Sequence, residues 1–76
     1  MDWIVKENYL QKNFKFINFS QAMTFINKIA NAAEEMNHHP DILLHSYNQV
    51  LVKTMTHDVG EITDKDYTLS KKIDAL

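Results

Sequence analysis

The sequence predicts an α+β domain: a four-stranded antiparallel sheet with helices packed on one face, in the order strand, strand, helix, strand, strand, helix. Three observations predict it. Apolar and polar side chains come close to alternating over residues 3–16 and again over 50–57, the period of a strand. Between and after these stretches, apolar residues recur at three- and four-residue steps, the period of a helix with one buried stripe. One glycine and one proline in 76 residues leave little room for linkers, so residues 1–76 read as a single domain with short turns. Adjacent strands joined by short turns pair antiparallel, and their apolar face needs helices to cover it.

The first short strand is expected near Trp3-Ile4-Val5, with a turn around Glu7-Asn8. In the second, Leu10, Lys12, Phe14 and Phe16 lie on one parity, and Gln11, Asn13 and Lys15 on the other. Ser20 is the expected N-cap of the first helix. Ala22, Phe25, Ile26, Ile29, Ala33 and Met36 form its inner stripe, with Gln21, Thr24, Asn27, Lys28, Asn31 and Glu35 opposite. This helix must stop before Pro40, because the residue preceding a proline is pushed to extended geometry. A hairpin turn is expected at Tyr47-Asn48-Gln49-Val50. In the strand that follows, Val50, Val52, Thr54 and Thr56 alternate with Leu51, Lys53, Met55 and His57. His57 is therefore expected to share a face with Met55 and Lys53, while the valines face the helices. Thr63 and Asp66 form a capping box for the last helix, with Asp in place of the usual Glu or Gln, and Ile62 and Tyr67 are placed as a hydrophobic staple. Leu69, Ile73 and Leu76 form its inner stripe, which Asp66 joins at three-residue spacing.

Composition narrows the function. The net charge of −2 and eight scattered lysines with no arginine disfavour nucleic acid as the main ligand. The polar, charged start does not read as a signal peptide, and no apolar run approaches the ~20 residues that span a bilayer. A cytoplasmic protein with no membrane partner is expected, which the absence of cysteine fits. A chain this short buries only about 60% of its unfolded surface, so oligomerisation is a natural remedy. The strand from Val50 to His57 is expected to offer a partly unpaired, apolar edge or face for it.

The chemistry concentrates in Glu34-Glu35-Met36-Asn37-His38-His39-Pro40, followed by Tyr47, His57 and Asp66. Histidine has an unperturbed pKa of roughly 6.5, so it both gives and takes protons near neutral pH. His38 and His39 fall on the loop leaving the first helix, where a rigid scaffold can present them to a ligand. Taken alone, they would be an exposed helix exit, His57 a solvated strand end, Glu34 a surface charge and Asp66 a cap. His45 matches no motif position and reads as a surface strand residue. Zinc is the rival reading, but adjacent histidines in an extended segment point to opposite sides and do not readily share one ion, so no metal is expected. Nucleophilic catalysis lacks a cysteine or a serine elbow, and phosphate binding lacks the glycines.

The combined spacing resembles the pterin-4a-carbinolamine dehydratases. Three residues separate Glu34 from His38-His39-Pro40, six separate Pro40 from Tyr47, nine separate Tyr47 from His57, and eight separate His57 from Asp66. Lys12-Asn13-Phe14-Lys15-Phe16 with Phe19, and Thr56-His57-Asp58, are similar to the family as well. The resemblance implies dehydration of a 4a-hydroxytetrahydropterin without a cofactor. It also implies a homodimer or homotetramer, catalytic His38, His39 and His57, and a pterin pocket with Pro40, Thr56, Asp58 and Val59, supported by Glu34 and Asp66. Among the departures from the family pattern, Ile42 stands where many members have an aromatic, and a glycine pair is reduced to Gly60-Glu61. The competing expectation is a non-catalytic dimerisation or coactivator-type module of the same fold.

Overall fold

The computed structural model describes residues 3–76. Its elements are β1 (Ile4–Lys6), β2 (Tyr9–Lys15), α1 (Phe19–Met36), β3 (Asp41–His45), β4 (Gln49–Thr54) and α2 (Asp64–Asp74). The sheet runs β1-β2-β4-β3 with every neighbouring pair antiparallel, the expected α+β architecture. In the first hairpin Glu7 and Asn8 take φ of 52° and 68°. A two-residue turn needs both positive if its twist is to match the strands. The second hairpin pairs His45 with Gln49, so its loop is residues 46–48. Its left-handed residues are Ser46 and Tyr47, at 50° and 56°. The turn thus begins earlier than the expected Tyr47–Val50, and Gln49 and Val50 already belong to β4.

Strand register puts Leu10, Lys12 and Phe14 on one face with Thr54, Val52 and Val50, and these with Ile42 and Leu44. Both helices cover that face. The core joins Leu10, Val50 and Val52 of the sheet to Phe25 and Ile29 of α1 and to Leu69 and Ile73 of α2. Each such side chain, fully buried, contributes about 1.5–3 kcal/mol. Lys12 is reconciled with this face by its ion pair to Asp74 at 3.0 Å, and Asp74 also accepts the Trp3 indole N–H. Burial works to raise the Asp74 pKa, but the Lys12 and Trp3 hydrogen bonds and the Lys12 charge bring it below the usual carboxylate value.

Four expectations are corrected. Asn18, not Ser20, caps α1: it is extended at φ −153° and accepts the Gln21 amide at 2.8 Å, while Ser20 already lies inside the helix. Leu76 lies beyond α2 and is 44% exposed, so it leaves the inner stripe. β4 ends at Thr54, which places His57 in the following turn rather than on a strand face. β4 is also flanked on both sides, so the open edges belong to β1 and β3. Among the described residues, no helix is long and apolar enough to cross a membrane.

Candidate active site

The exit from α1 sets the geometry of the two adjacent histidines. Asn37 adopts the left-handed conformation (φ 53°, ψ 42°), which asparagine tolerates better than most residues. Its amide donates to the Glu34 carbonyl at 3.2 Å and the His38 amide to the Ala33 carbonyl at 3.1 Å. These paired bonds end the helix in a Schellman motif. Beyond it the two imidazoles part. His38 Nε2 meets Asp66 Oδ1 at 2.6 Å, whereas His39 Nε2 meets the Glu34 carboxylate. The His38 side chain is 11% exposed and that of His39 is 55% exposed.

Asp66 is the centre of the buried network and has no exposed surface. It sits at the third position of α2, where its carboxylate accepts the Thr63 amide at 2.9 Å and completes the predicted capping box. Oδ2 also accepts the Thr56 hydroxyl at 2.9 Å, and Oδ1 accepts the Thr54 hydroxyl at 2.6 Å. Burial works to raise the Asp66 pKa. Hydrogen bonds from His38, Thr54, the Thr63 amide and Thr56 outweigh it and hold the carboxyl below its ordinary value.

His57 comes from the turn after β4. Thr56 and Glu61 close this turn as an isolated bridge, the Thr56 amide donating to the Glu61 carbonyl at 3.0 Å. Gly60 completes it at φ 69°. A Cβ there would meet no atom within 4 Å, so glycine supplies left-handed backbone rather than room. The turn projects His57 and Asp58 toward the α1 exit.

Between them lies an open cleft of about 310 Å³, lined by Asn37, His38, His39, Met55, Thr56, His57, Asp58 and Lys65. Five predicted site residues therefore meet in one place: His38, His39, Thr56, His57 and Asp58. Val59 instead lines a neighbouring depression of about 370 Å³ that shares Thr56, Asp58 and Lys65 with the cleft. Pro40 is half-buried at the entry to β3, Asp66 stands behind His38, and Glu34 reaches His39 from α1. His45 lies at the far end of β3, bonded to Asn13 and Ser46.

Sequence reasoning missed Asn37, Met55 and Lys65 on the cleft wall, and Thr54 behind it. A signal for Lys65 exists: it is a cation in the first turn of a helix, where the macrodipole favours acids. Among the described residues, no group of three or more His, Asp or Glu side chains is arranged to hold a metal ion.

Known proteins resemble the chain along nearly its whole length. The model of the family described as pterin 4 alpha carbinolamine dehydratase matches residues 1–76. A protein of Sulfurisphaera tokodaii is 49% identical over 74 residues, covering 97% of this chain and 78% of its own. One of Picosynechococcus is 45% identical over 75 residues, covering 99% and 80%. Both carry the name "Putative pterin-4-alpha-carbinolamine dehydratase". Among solved structures, a protein from Brucella melitensis described as a transcriptional coactivator/pterin dehydratase superimposes with a TM-score of 0.86 at 31% identity, over 97% of this chain and 78% of that one. A pterin dehydratase-like RuBisCO assembly factor of the alpha-carboxysome matches with a TM-score of 0.81 at 20% identity, over 99% and 88%, a likeness of fold alone.

Proposed function

The chain belongs to the pterin 4 alpha carbinolamine dehydratase family, and on that premise we propose that it removes water from a 4a-hydroxytetrahydropterin to give the quinonoid dihydropterin. One observation carries the reading: three imidazoles from two separate segments converge on one cleft, and a buried carboxylate stands behind one of them. The cleft volume of about 310 Å³ suits a small bicyclic ligand, at the lower end of the ~300–1,000 Å³ usual for such sites.

The reaction needs one acid and one base. The N5 lone pair forms the C4a=N5 bond as the C4a–O bond breaks. The departing hydroxyl takes a proton and leaves as water, and a base receives the N5 proton. His38 and His57 carry these transfers, each such group typically giving ~10²–10⁴-fold. His39 binds or orients the ring, steadied by Glu34. Thr56, Asp58 and Val59 form the walls against the pterin, and Pro40 fixes the loop. The protein works as a single domain over residues 1–76, assembled as a homodimer or homotetramer.

Turnover of a 4a-hydroxytetrahydropterin tests this. His38→Ala and His57→Ala are expected to lower kcat by about 100-fold or more with the fold intact. His45→Ala, at the far end of β3, is expected to be nearly silent. Near-wild-type turnover in both site variants would overturn the assignment. Absence of turnover in the wild type would favour the second reading, a binding module without catalysis. That reading draws on the coactivator description of the Brucella melitensis neighbour.

A further inference from the structure

The hydrogen atoms around Asp66 can be counted. The Thr63 amide, 2.9 Å from Oδ2, can only donate. The Thr56 hydroxyl is 2.9 Å from the same oxygen and 2.7 Å from the Thr63 hydroxyl, whose own oxygen accepts the Lys65 amide. Against an ionised carboxylate, the hydrogens run from Thr63 to Thr56 and from Thr56 to Asp66. Thr54 gives its one hydrogen to Oδ1 at 2.6 Å. It also stands 3.5 Å from His38 Nε2 and has no second hydrogen to offer there. His38 Nε2, 2.6 Å from Oδ1, must therefore carry a proton itself. A neutral imidazole has one N–H, so the lone pair of His38 lies on Nδ1. Nδ1 has no hydrogen-bond partner among the described residues, and no buried side-chain nitrogen among them is left unpartnered. Nδ1 is therefore open to solvent, on a residue that lines the cleft.

We propose that Asp66, with Thr54 and Thr56 aligning its carboxylate, fixes His38 in the Nε2–H tautomer and so makes Nδ1 of His38 the proton acceptor of the site. This rests on the dehydratase reading. Nδ1 takes the N5 proton, the N5 lone pair forms the C=N bond, and the hydroxyl leaves as water with a proton from the His57 imidazolium. One proton has then moved from His57 to His38, and exchange with solvent restores both. Asp66, Thr54 and Thr56 act here as positioning residues.

Asp66→Asn separates this role from simple support. The Thr63 amide and Thr56 hydroxyl both donate to one side of the carboxylate, so the asparagine oxygen must lie there. Its NH₂ group then faces His38, whose Nε2 must accept, and the ring proton moves to Nδ1. The same exchange at the orienting aspartate of a serine-protease triad costs ~10⁴-fold through the wrong tautomer. Long-range ¹H–¹⁵N spectra of the histidine rings, at a pH where His38 is neutral, read the tautomer directly. The wild type is expected to be protonated on Nε2 and D66N on Nδ1, with kcat lowered about 100-fold or more and KM changed by only a few-fold. A wild-type His38 protonated on Nδ1, or a folded D66N whose tautomer does not move, would overturn the proposal. If D66N does not fold, the wild-type spectrum decides. If the wild type does not turn over the pterin, the dehydratase reading fails, while the spectrum still decides the tautomer.

Discussion

Thr54→Val removes one hydrogen bond from the buried network with almost no change of shape. Thr54 closes β4, is 1% exposed, and donates to Asp66 Oδ1 at 2.6 Å. Valine keeps the branching and the preference for a strand. The lost bond is to an ionised acceptor, and such bonds contribute about 1.5–3 kcal/mol. The added methyl offsets about 0.8 kcal/mol of that, leaving a net cost of about 1–2 kcal/mol. A chain of 76 residues has a total stability of roughly 4–11 kcal/mol. With a urea slope near ~1 kcal/mol per molar, the unfolding midpoint is expected to fall by about 1–2 M. The pH dependence carries a sign. Asp66 has a folded pKa below the ordinary 3.8, so its contribution is complete above that value and is lost as pH falls through the lower folded one. Thr54→Val leaves Asp66 one donor fewer, so the variant loses less on acidification, and the gap to wild type narrows as pH falls below 3.8. Asp74, also held low, titrates in both proteins and cancels from the difference. Trp3, the single tryptophan and 7% exposed, reports unfolding by fluorescence. Equal midpoints at neutral pH, or a gap that does not change with pH, would refute the reasoning.

Exhaustive chelation is expected to leave turnover unchanged, because His38 and His39 turn to different carboxylates; activity lost with chelator and restored by zinc would contradict this. Light scattering at micromolar concentration is expected to give a dimer or tetramer, with β1 or β3 supplying the open edge. A stable, fully active monomer would show that the core satisfies itself within one chain. Asn37→Ala puts an ordinary Cβ at φ 53° and is expected to cost about 1 kcal/mol, lowering the melting temperature, whereas Asn37→Gly should not. Equal melting of the two variants would rule out backbone strain at that cap.

Legibility in the sequence followed periodicity. The stripe of α1 and the alternation in β2 and β4 were readable because each repeats over several residues and meets one shared core. The capping box was readable because Thr63 and Asp66 are partners at a fixed local spacing. Turn centres were less so: Ser46 and Tyr47 go left-handed with no glycine to mark them. Alternation alone extended β4 through His57. Pairing stops it earlier, because β2 begins at Tyr9, one residue beyond the Leu10 that pairs with Thr54. The pairing of Glu34 with His39 was hidden by the left-handed Asn37, which interrupts helical spacing between them. Thr54 was hidden because its partner lies twelve residues away, on another element.

Asp66 closes the first turn of α2 through one oxygen and meets His38 through the other. Fraying of that turn and release of the imidazole are consequently one event. A partly unfolded molecule that keeps its sheet while α2 drifts away has no oriented His38, however native its strands. Turnover measured in mild denaturant therefore gauges the docking of α2 rather than the integrity of the sheet. Hydrogen exchange at the Thr63 amide should rise in step with the loss of activity, ahead of exchange in the central strands.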